Sequence, residues 1–412
     1  MDVALIWVIS LASIALMLVR PRGLAECVWA GSGALLLLAL RLISPATTLH
    51  AVREGLDLYL FLAGMMILAE LAREEGVFDW VAEIAVGHAH GSAARLFFWV
   101  YASGVVVTAL LSNDATAVVL TPAVLAAVRR ARVDARPHLL ACAMLANAAS
   151  FLLPISNPAN LVVFASDLPP LGAWLGALLV PALVSIAVTF LVLRLLSRRS
   201  LARPVAAVSQ TRRLSHAGHF ALAGILVAAA AMLVASGFGI PLGWPTFGAA
   251  LLAMVLVASQ DRSAPLTALR HVAWSILPLV AALFVLVAAL NQAGMMHAAQ
   301  AAIAWLGDQP RMAAKFAGAF AVALLSNGMN NLPVGLAAGS ALRHAGHTGL
   351  LARAVLVGVD LGPNLSVTGS LATILWLIAL RREQAEITPW QFLKVGLIVM
   401  PAALACALMA LR

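Results

Sequence analysis

Apolar residues come in long unbroken blocks along this chain, without the three- and four-residue spacing of a water-facing helix. Val3 to Val19 and Phe220 to Phe238 each run without an Asp, Glu, Lys or Arg, close to the ~20 residues a helix needs to cross a bilayer. Such blocks predict spans near 3–19, 24–43, 56–72, 138–166 and 169–196, then near 217–236, 242–259, 271–291, 350–380 and 388–411. Residues 96–128 and 312–342 read differently. Each is a pair of apolar arms around a polar tip, Ser112-Asn113-Asp114 in the first and Ser326-Asn327 through Asn331 in the second, where Gly328 falls opposite Asp114. Arms of about four turns predict re-entrant hairpins, because polar tips are tolerated at membrane depth only inside protein or beside a water-filled cavity.

The pattern repeats. Ala109-Leu110-Leu111-Ser112-Asn113 recurs 214 positions later as Ala323-Leu324-Leu325-Ser326-Asn327. The long spans that follow are both interrupted, by Pro154-Ile155-Ser156-Asn157-Pro158 and by Gly362-Pro363 through Gly369. The reading is an all-α polytopic membrane protein of two inverted repeats, each with five spans (one broken) and a re-entrant hairpin. Residues 1–197 form the first repeat (hairpin 96–128, broken helix 138–166) and residues 217–412 the second (hairpin 312–342, broken helix 350–380), joined by a cytoplasmic linker at 198–216. An odd number of crossings inverts the second copy. Paired broken helices in inverted repeats are the architecture of secondary transporters, with the binding site where the breaks meet.

Composition agrees: 63% of residues are hydrophobic and 10% charged, against roughly 25% charged in a soluble domain. A net charge of +9 would suggest nucleic acid as a partner of a soluble protein. Here the cations lie between apolar blocks, eighteen on one predicted side and seven on the other, so they face anionic lipid and no nucleic-acid partner is implied. The arginine-rich side is then cytoplasmic, in a multi-pass protein of the bacterial inner (plasma) membrane with both termini periplasmic. The first span has no basic leader and reads as retained. Cys27, Cys142 and Cys406 are too scattered for a disulfide framework or metal site and read as packing residues. No P-loop occurs, so this chain is not an ATP-hydrolysing enzyme, and no cofactor is implied.

Acids inside spans or hairpins cost on the order of 3 kcal/mol on insertion scales. Glu70 lies one turn from Arg73 and reads as a paired charge. Asp114 can cap the helix that follows it or carry a coupling proton. Asp360 precedes the second break and aligns with Asn147, so each repeat supplies one carboxylate matched by a neutral residue in the other. Asp114 and Asp360 are the candidate proton carriers. Candidate substrate or ion ligands are Ser112, Asn113, Asp114, Ser156, Asn157, Asn160, Ser326, Asn327, Asn330, Asn331, Asp360, Asn364, Thr368, Ser370 and Thr373. No cation accompanies them, which favours a neutral polyol-like substrate or a small cation, although free backbone amides can hold an anion.

Val359-Asp360-Leu361-Gly362-Pro363-Asn364 with Gly369 through Leu377, Ser112-Asn113-Asp114-Ala115, Met329-Asn330-Asn331-Leu332-Pro333 and Ile387-Thr388-Pro389-Trp390 resemble the arsenite efflux pump family (ArsB). That family belongs to the wider ion transporter superfamily, which also holds NhaD-type antiporters and dicarboxylate carriers. The resemblance covers essentially the whole chain and departs from the pumps at Asn147 and at Asn364 through Thr368. It implies export of arsenite and antimonite, as neutral trihydroxy acids, in exchange for protons, and leaves room for a separate cytoplasmic ATPase subunit. The alternative on the same scaffold is a sodium/proton antiporter or another small-ion carrier. An intramembrane aspartyl protease is disfavoured, since Gly358-Val359-Asp360 lacks the Gly-x-Gly-Asp pattern.

Overall fold

The computed structural model describes residues 2–202, 213–346, 349–385 and 387–412, and the regular structure among them is entirely helical. Arg203, Arg212 and most of the expected 198–216 linker lie outside the described residues. The chain begins with α1 (Asp2–Val19), α2 (Glu26–Ala39), α3 (Pro45–Glu54), α4 (Leu56–Glu74), α5 (Val77–Gly87) and α6 (Ala93–Leu110). It reverses at Leu111-Ser112 and returns through Asn113–Ala115, a π-helical turn at Thr116–Leu120 and α7 (Thr121–Arg130). Pro122, which lacks an N–H, sits just past the wide turn, where it cannot continue the ordinary hydrogen-bond ladder. A broken span follows as α8 (Ala135–Ala148) and α9 (Pro158–Phe164), and then α10 (Leu171–Leu196).

The same order recurs. α11 (His216–Gly237), α12 (Gly243–Ala258), α13 (Ala264–His271), α14 (Ile276–Gln292), α15 (Met295–Gly307) and α16 (Arg311–Met329) lead to the second reversal. α17 (Asn331–His344), the broken pair α18 (Leu350–Leu361) and α19 (Leu371–Arg382), and α20 (Pro389–Ala410) complete the chain. Packing is reciprocal between the two series: α2 and α3 lie against α14, and α12 and α13 lie against α4. The closing helices α10 and α20 pack on each other, α9 lies against α17, and α19 lies against α7 and the π-helical turn.

Several elements differ from the sequence pattern. The outgoing hairpin arms α6 and α16 have 18 and 19 residues and are long and apolar enough to cross a membrane, instead of stopping near four turns. Each extends past its apolar block: Ser92 caps α6 by accepting from the Arg95 amide at 3.4 Å, and α16 starts at Arg311 behind Pro310. Conversely α2, with 14 residues, is shorter than the block at 24–43 and rises only about 21 Å. It stops where Arg41 takes φ 56°. By length and composition seven helices among the described residues could cross a membrane, or eight if α3 and α4, bent by 47°, count as one span. The ten expected spans are thus not all single helices of crossing length. Gly328, expected at the second tip, lies inside α16, and the chain turns two residues later at Asn330, whose φ is 75°. The short helices α3, α5, α13 and α15 went unread, because runs of 8 to 13 residues are too short for a span search.

Lipid gives helices little apolar reason to associate, so close backbone approach through small residues carries the packing. At Gly358 in α18 a Cβ would lie 2.3 Å from the Ala319 carbonyl oxygen of α16. A Gly358→Leu change should therefore separate the two helices and lower the melting temperature in detergent, at an overpacking cost of ~1–3 kcal/mol or more. Gly248→Ala in α12, where a Cβ meets nothing within 4 Å, should leave it unchanged or raise it. Equal effects would contradict the packing described.

Candidate functional site

Four helices begin inside the protein, and each is opened by one of the polar turns seen in the sequence. Ser112 accepts from the Ala115 amide at 3.2 Å, and Asn157 Oδ1 from the Ala159 amide at 3.0 Å. Asn330 Oδ1 accepts from the Leu332 amide, and Ser370 Oγ from the Thr373 amide, both at 3.2 Å. Two of these caps and the residues just after all four line one cavity: Asn113 and Asp114, Asn157 and Pro158, Asn331 and Leu332, Ser370 and Leu371, with Leu62 of α4 and Ile276 of α14 closing it. Its volume is about 10 Å³, the room of a single water, so the walls are nearly in contact.

Each helix N-terminus contributes a partial positive charge and free N–H donors. Among the described residues lining the cavity there is no Lys, Arg or His, and Asp114 is the only formal charge. The wall therefore combines amide donors with one carboxylate. Asp360, fully buried at the end of α18, lies behind it: its Oδ1 accepts from Asn157 Nδ2 at 2.7 Å, while its Oδ2 has no hydrogen bond among the described residues, the nearby Ser150 hydroxyl donating to the Asn147 carbonyl at 2.8 Å instead. Asn113 Oδ1 is likewise buried without a partner. Leaving a buried acceptor unmatched costs ~1–3 kcal/mol, more for a charged group, so both atoms suit a proton, an ion or a bound donor.

The expected ligands divide into two groups. Asn113, Asp114, Asn157, Asn331 and Ser370 meet at the cavity, and Asn330 lines a small adjoining one. Most of the others bond to nearby backbone or to each other, though Asn160 Oδ1, like Asp360 Oδ2, has no hydrogen-bond partner among the described residues. Asn160 Nδ2 donates to the Ser150 carbonyl at 2.9 Å, Ser156 Oγ to the Ala109 carbonyl at 3.3 Å and Ser326 Oγ to the Val322 carbonyl at 2.8 Å. Asn327 donates to the Gly362 carbonyl at 2.9 Å and accepts from Ser366 Oγ at 2.6 Å, while Thr368 Oγ1 donates to the Asn327 carbonyl at 2.8 Å. Asn147 Nδ2 donates to Asn364 Oδ1 at 3.0 Å, joining the two broken spans, and Thr373 Oγ1 donates to the Val367 carbonyl at 2.8 Å. Glu70 accepts from Arg73 Nε at 2.8 Å, as a paired charge should.

Two features escaped the sequence reading. Glu26 of α2 is 7% exposed, pairs with Arg20 at 3.0 Å and lines the small cavity that also holds Asn330, Leu332 and Leu371. The signal was there, an acid inside the apolar block 24–43. The second is a vestibule of about 520 Å³. Leu58, Leu161, Val162 and Leu336 in its wall stand about one turn beyond Leu62, Pro158 and Leu332 on α4, α9 and α17, so a single apolar layer separates it from the site. Glu54, Asp57, Asn291, Arg343 and His344 also line it. Arg343 Nη1 donates to the Val163 carbonyl at 2.8 Å, tying the far end of α17 to α9.

A family model described as citrate transporter (CitMHS) matches residues 5–358. The chain is 30% identical to an arsenical pump membrane protein of Yersinia enterocolitica over 84% of either chain. It is 27% identical to one of Escherichia coli (strain K12), covering 97% of this chain and 96% of that protein. Among solved structures, the Alcanivorax borkumensis YdaH transporter is similar in fold, with a TM-score of 0.58 at 17% identity over 88% of this chain and 86% of the other.

The two groups of residues should respond differently to truncation. Asn364→Ala leaves the buried Asn147 amide without its acceptor and should lower thermal stability by ~1–3 kcal/mol. Asn113→Ala, whose Oδ1 has no partner among the described residues, should cost clearly less stability. Thermal unfolding of the purified variants checks this, and equal losses would contradict the division into bracing and lining residues.

Proposed function

This chain belongs to the citrate transporter family, and on that premise we propose that it is a secondary transporter exporting arsenite and antimonite, as neutral trihydroxy acids, in exchange for protons. The observation that carries the substrate is the wall of the site, which offers three side-chain amides, the Ser370 hydroxyl and a carboxylate but no cationic side chain. Such a wall can donate to and accept from three hydroxyl groups, whereas a polycarboxylate would call for Arg or Lys within reach. The names of the arsenical pump relatives support the same choice. The orphaned Asn113 Oδ1 beside Asp114 favours one second reading, a small cation such as sodium held by these oxygens.

In this reading the repeated element order is a pair of inverted repeats, 1–197 and 217–412, and the cation asymmetry places both termini in the periplasm. The first hairpin then enters from the cytoplasm and the second from outside. The vestibule beside Arg343 faces outward, closed from the site by the layer of Leu58, Leu161, Val162 and Leu336. Glu26 and Arg20 stand toward the cytoplasmic side. Asp114 competes with substrate at the cavity wall, and Asp360 senses the site through Asn157, so a proton arriving from the vestibule would displace substrate outward. A separate cytoplasmic ATPase, if one is engaged, would meet the arginine-rich face.

The test is transport by everted vesicles from a host stripped of its own pumps. Wild-type vesicles should accumulate arsenite under a proton gradient. Asp114→Asn and Asp360→Asn should each lose gradient-driven uptake while still binding substrate and reaching the membrane. Sodium uptake without arsenite uptake would replace the substrate by the second reading. Wild-type rates with an unchanged pH profile in both variants would remove these carboxylates from the coupling role.

A further inference from the structure

A separate cavity of about 570 Å³ lies where the α15–α16 turn, the start of α18 and the end of the chain meet, and it shares no lining residue with the site or the vestibule. Arg311, Lys315 and Arg412 line it, and among the described residues no Asp or Glu does. Asp308, in the same turn, is exposed and outside the lining. Lys315 is only 4% exposed, and its ammonium donates to the Leu411 carbonyl at 3.0 Å, with no carboxylate within 4.0 Å among the described residues. With one neutral acceptor on it, the ammonium keeps further donors for an anion in the cavity.

Two further features point the same way. α16 and α18, helices of 19 and 12 residues, both begin at this wall without a side-chain cap. Their free N–H groups and helix dipoles add to the positive field. Leu306, Leu350 and Leu351 form an apolar wall beside the cations, and Trp305, which precedes Leu306 in the chain, is 59% exposed, as tryptophan is at a membrane–water boundary. We propose that this cavity binds the phosphate headgroup of an anionic phospholipid, with Arg311 and Lys315 on the phosphate and the acyl chains along the three leucines. A soluble phosphate would use the cations and helix ends but would leave the leucine wall and Trp305 without a partner.

The full chain, purified in detergent and stripped of lipid, would be titrated with phosphatidylglycerol, phosphatidylcholine and inorganic phosphate, following intact complexes by native mass spectrometry. Phosphatidylglycerol should bind, and the paired change Arg311→Gln with Lys315→Gln should weaken it at least about tenfold, as expected for lost charge-assisted hydrogen bonds to phosphate. If the paired variant does not fold, Arg311→Gln alone, at the exposed rim, should still weaken it, and Lys315→Arg should retain it. Equal binding of phosphatidylcholine, or unchanged phosphatidylglycerol binding in the variants, would overturn the site. Inorganic phosphate matching the lipid's affinity would overturn the lipid in favour of a soluble anion.

Discussion

A helix that starts inside a membrane exposes free backbone N–H groups where no water can satisfy them. This chain starts four helices in its buried interior, after Ser112, Asn157, Asn330 and Ser370. The rest of the arrangement answers that constraint. Each cap satisfies one amide of its own helix, and residues from all four helix starts line a single cavity. Four like-signed helix ends would repel, so the carboxylate of Asp114 belongs among them on electrostatic grounds as much as functional ones. Asn157 joins the two tasks: its oxygen caps α9 while its amide nitrogen holds Asp360 of the other broken span. A change of charge on Asp360 is therefore felt at the end of a helix that lines the cavity.

Two cavities accompany that site: a vestibule of about 520 Å³ behind a single apolar layer, and a small cavity beside Glu26. A nearly closed centre next to an open vestibule suits a cycle in which barriers form in turn. The breaks themselves are stiff, because Asn327, Ser366, Thr368, Asn147 and Asn364 knit them together. Movement would then fall on the apolar contacts of α4 and α14 against the hairpins and broken helices.

Much of this was legible in the sequence because the signals are local. Apolar blocks mark the helices, proline and glycine mark the breaks, and a recurring five-residue motif marks the duplicated order. Hydrogen-bond assignment is not local. Asn147 and Asn364 are 217 positions apart, and nothing in either segment says that they pair while Asn113 keeps a free oxygen. The tip register misled for a related reason: Gly328 breaks helices in water, but in α16 the ladder continues to Met329 and the turn falls on Asn330. Glu26 was hidden by its neighbours, an acid that looks like the edge of an apolar block until α2 is seen to begin there.

The most direct measurement of the central claim is an electron cryomicroscopy map of the chain in lipid discs with antimonite, whose heavy atom scatters strongly. The account predicts a strong isolated peak bounded by Asn113, Asn157, Asn331 and Ser370, with the walls moved apart to admit it. A peak confined to the vestibule near Asp57 and Arg343, or no peak at saturating antimonite, would contradict it.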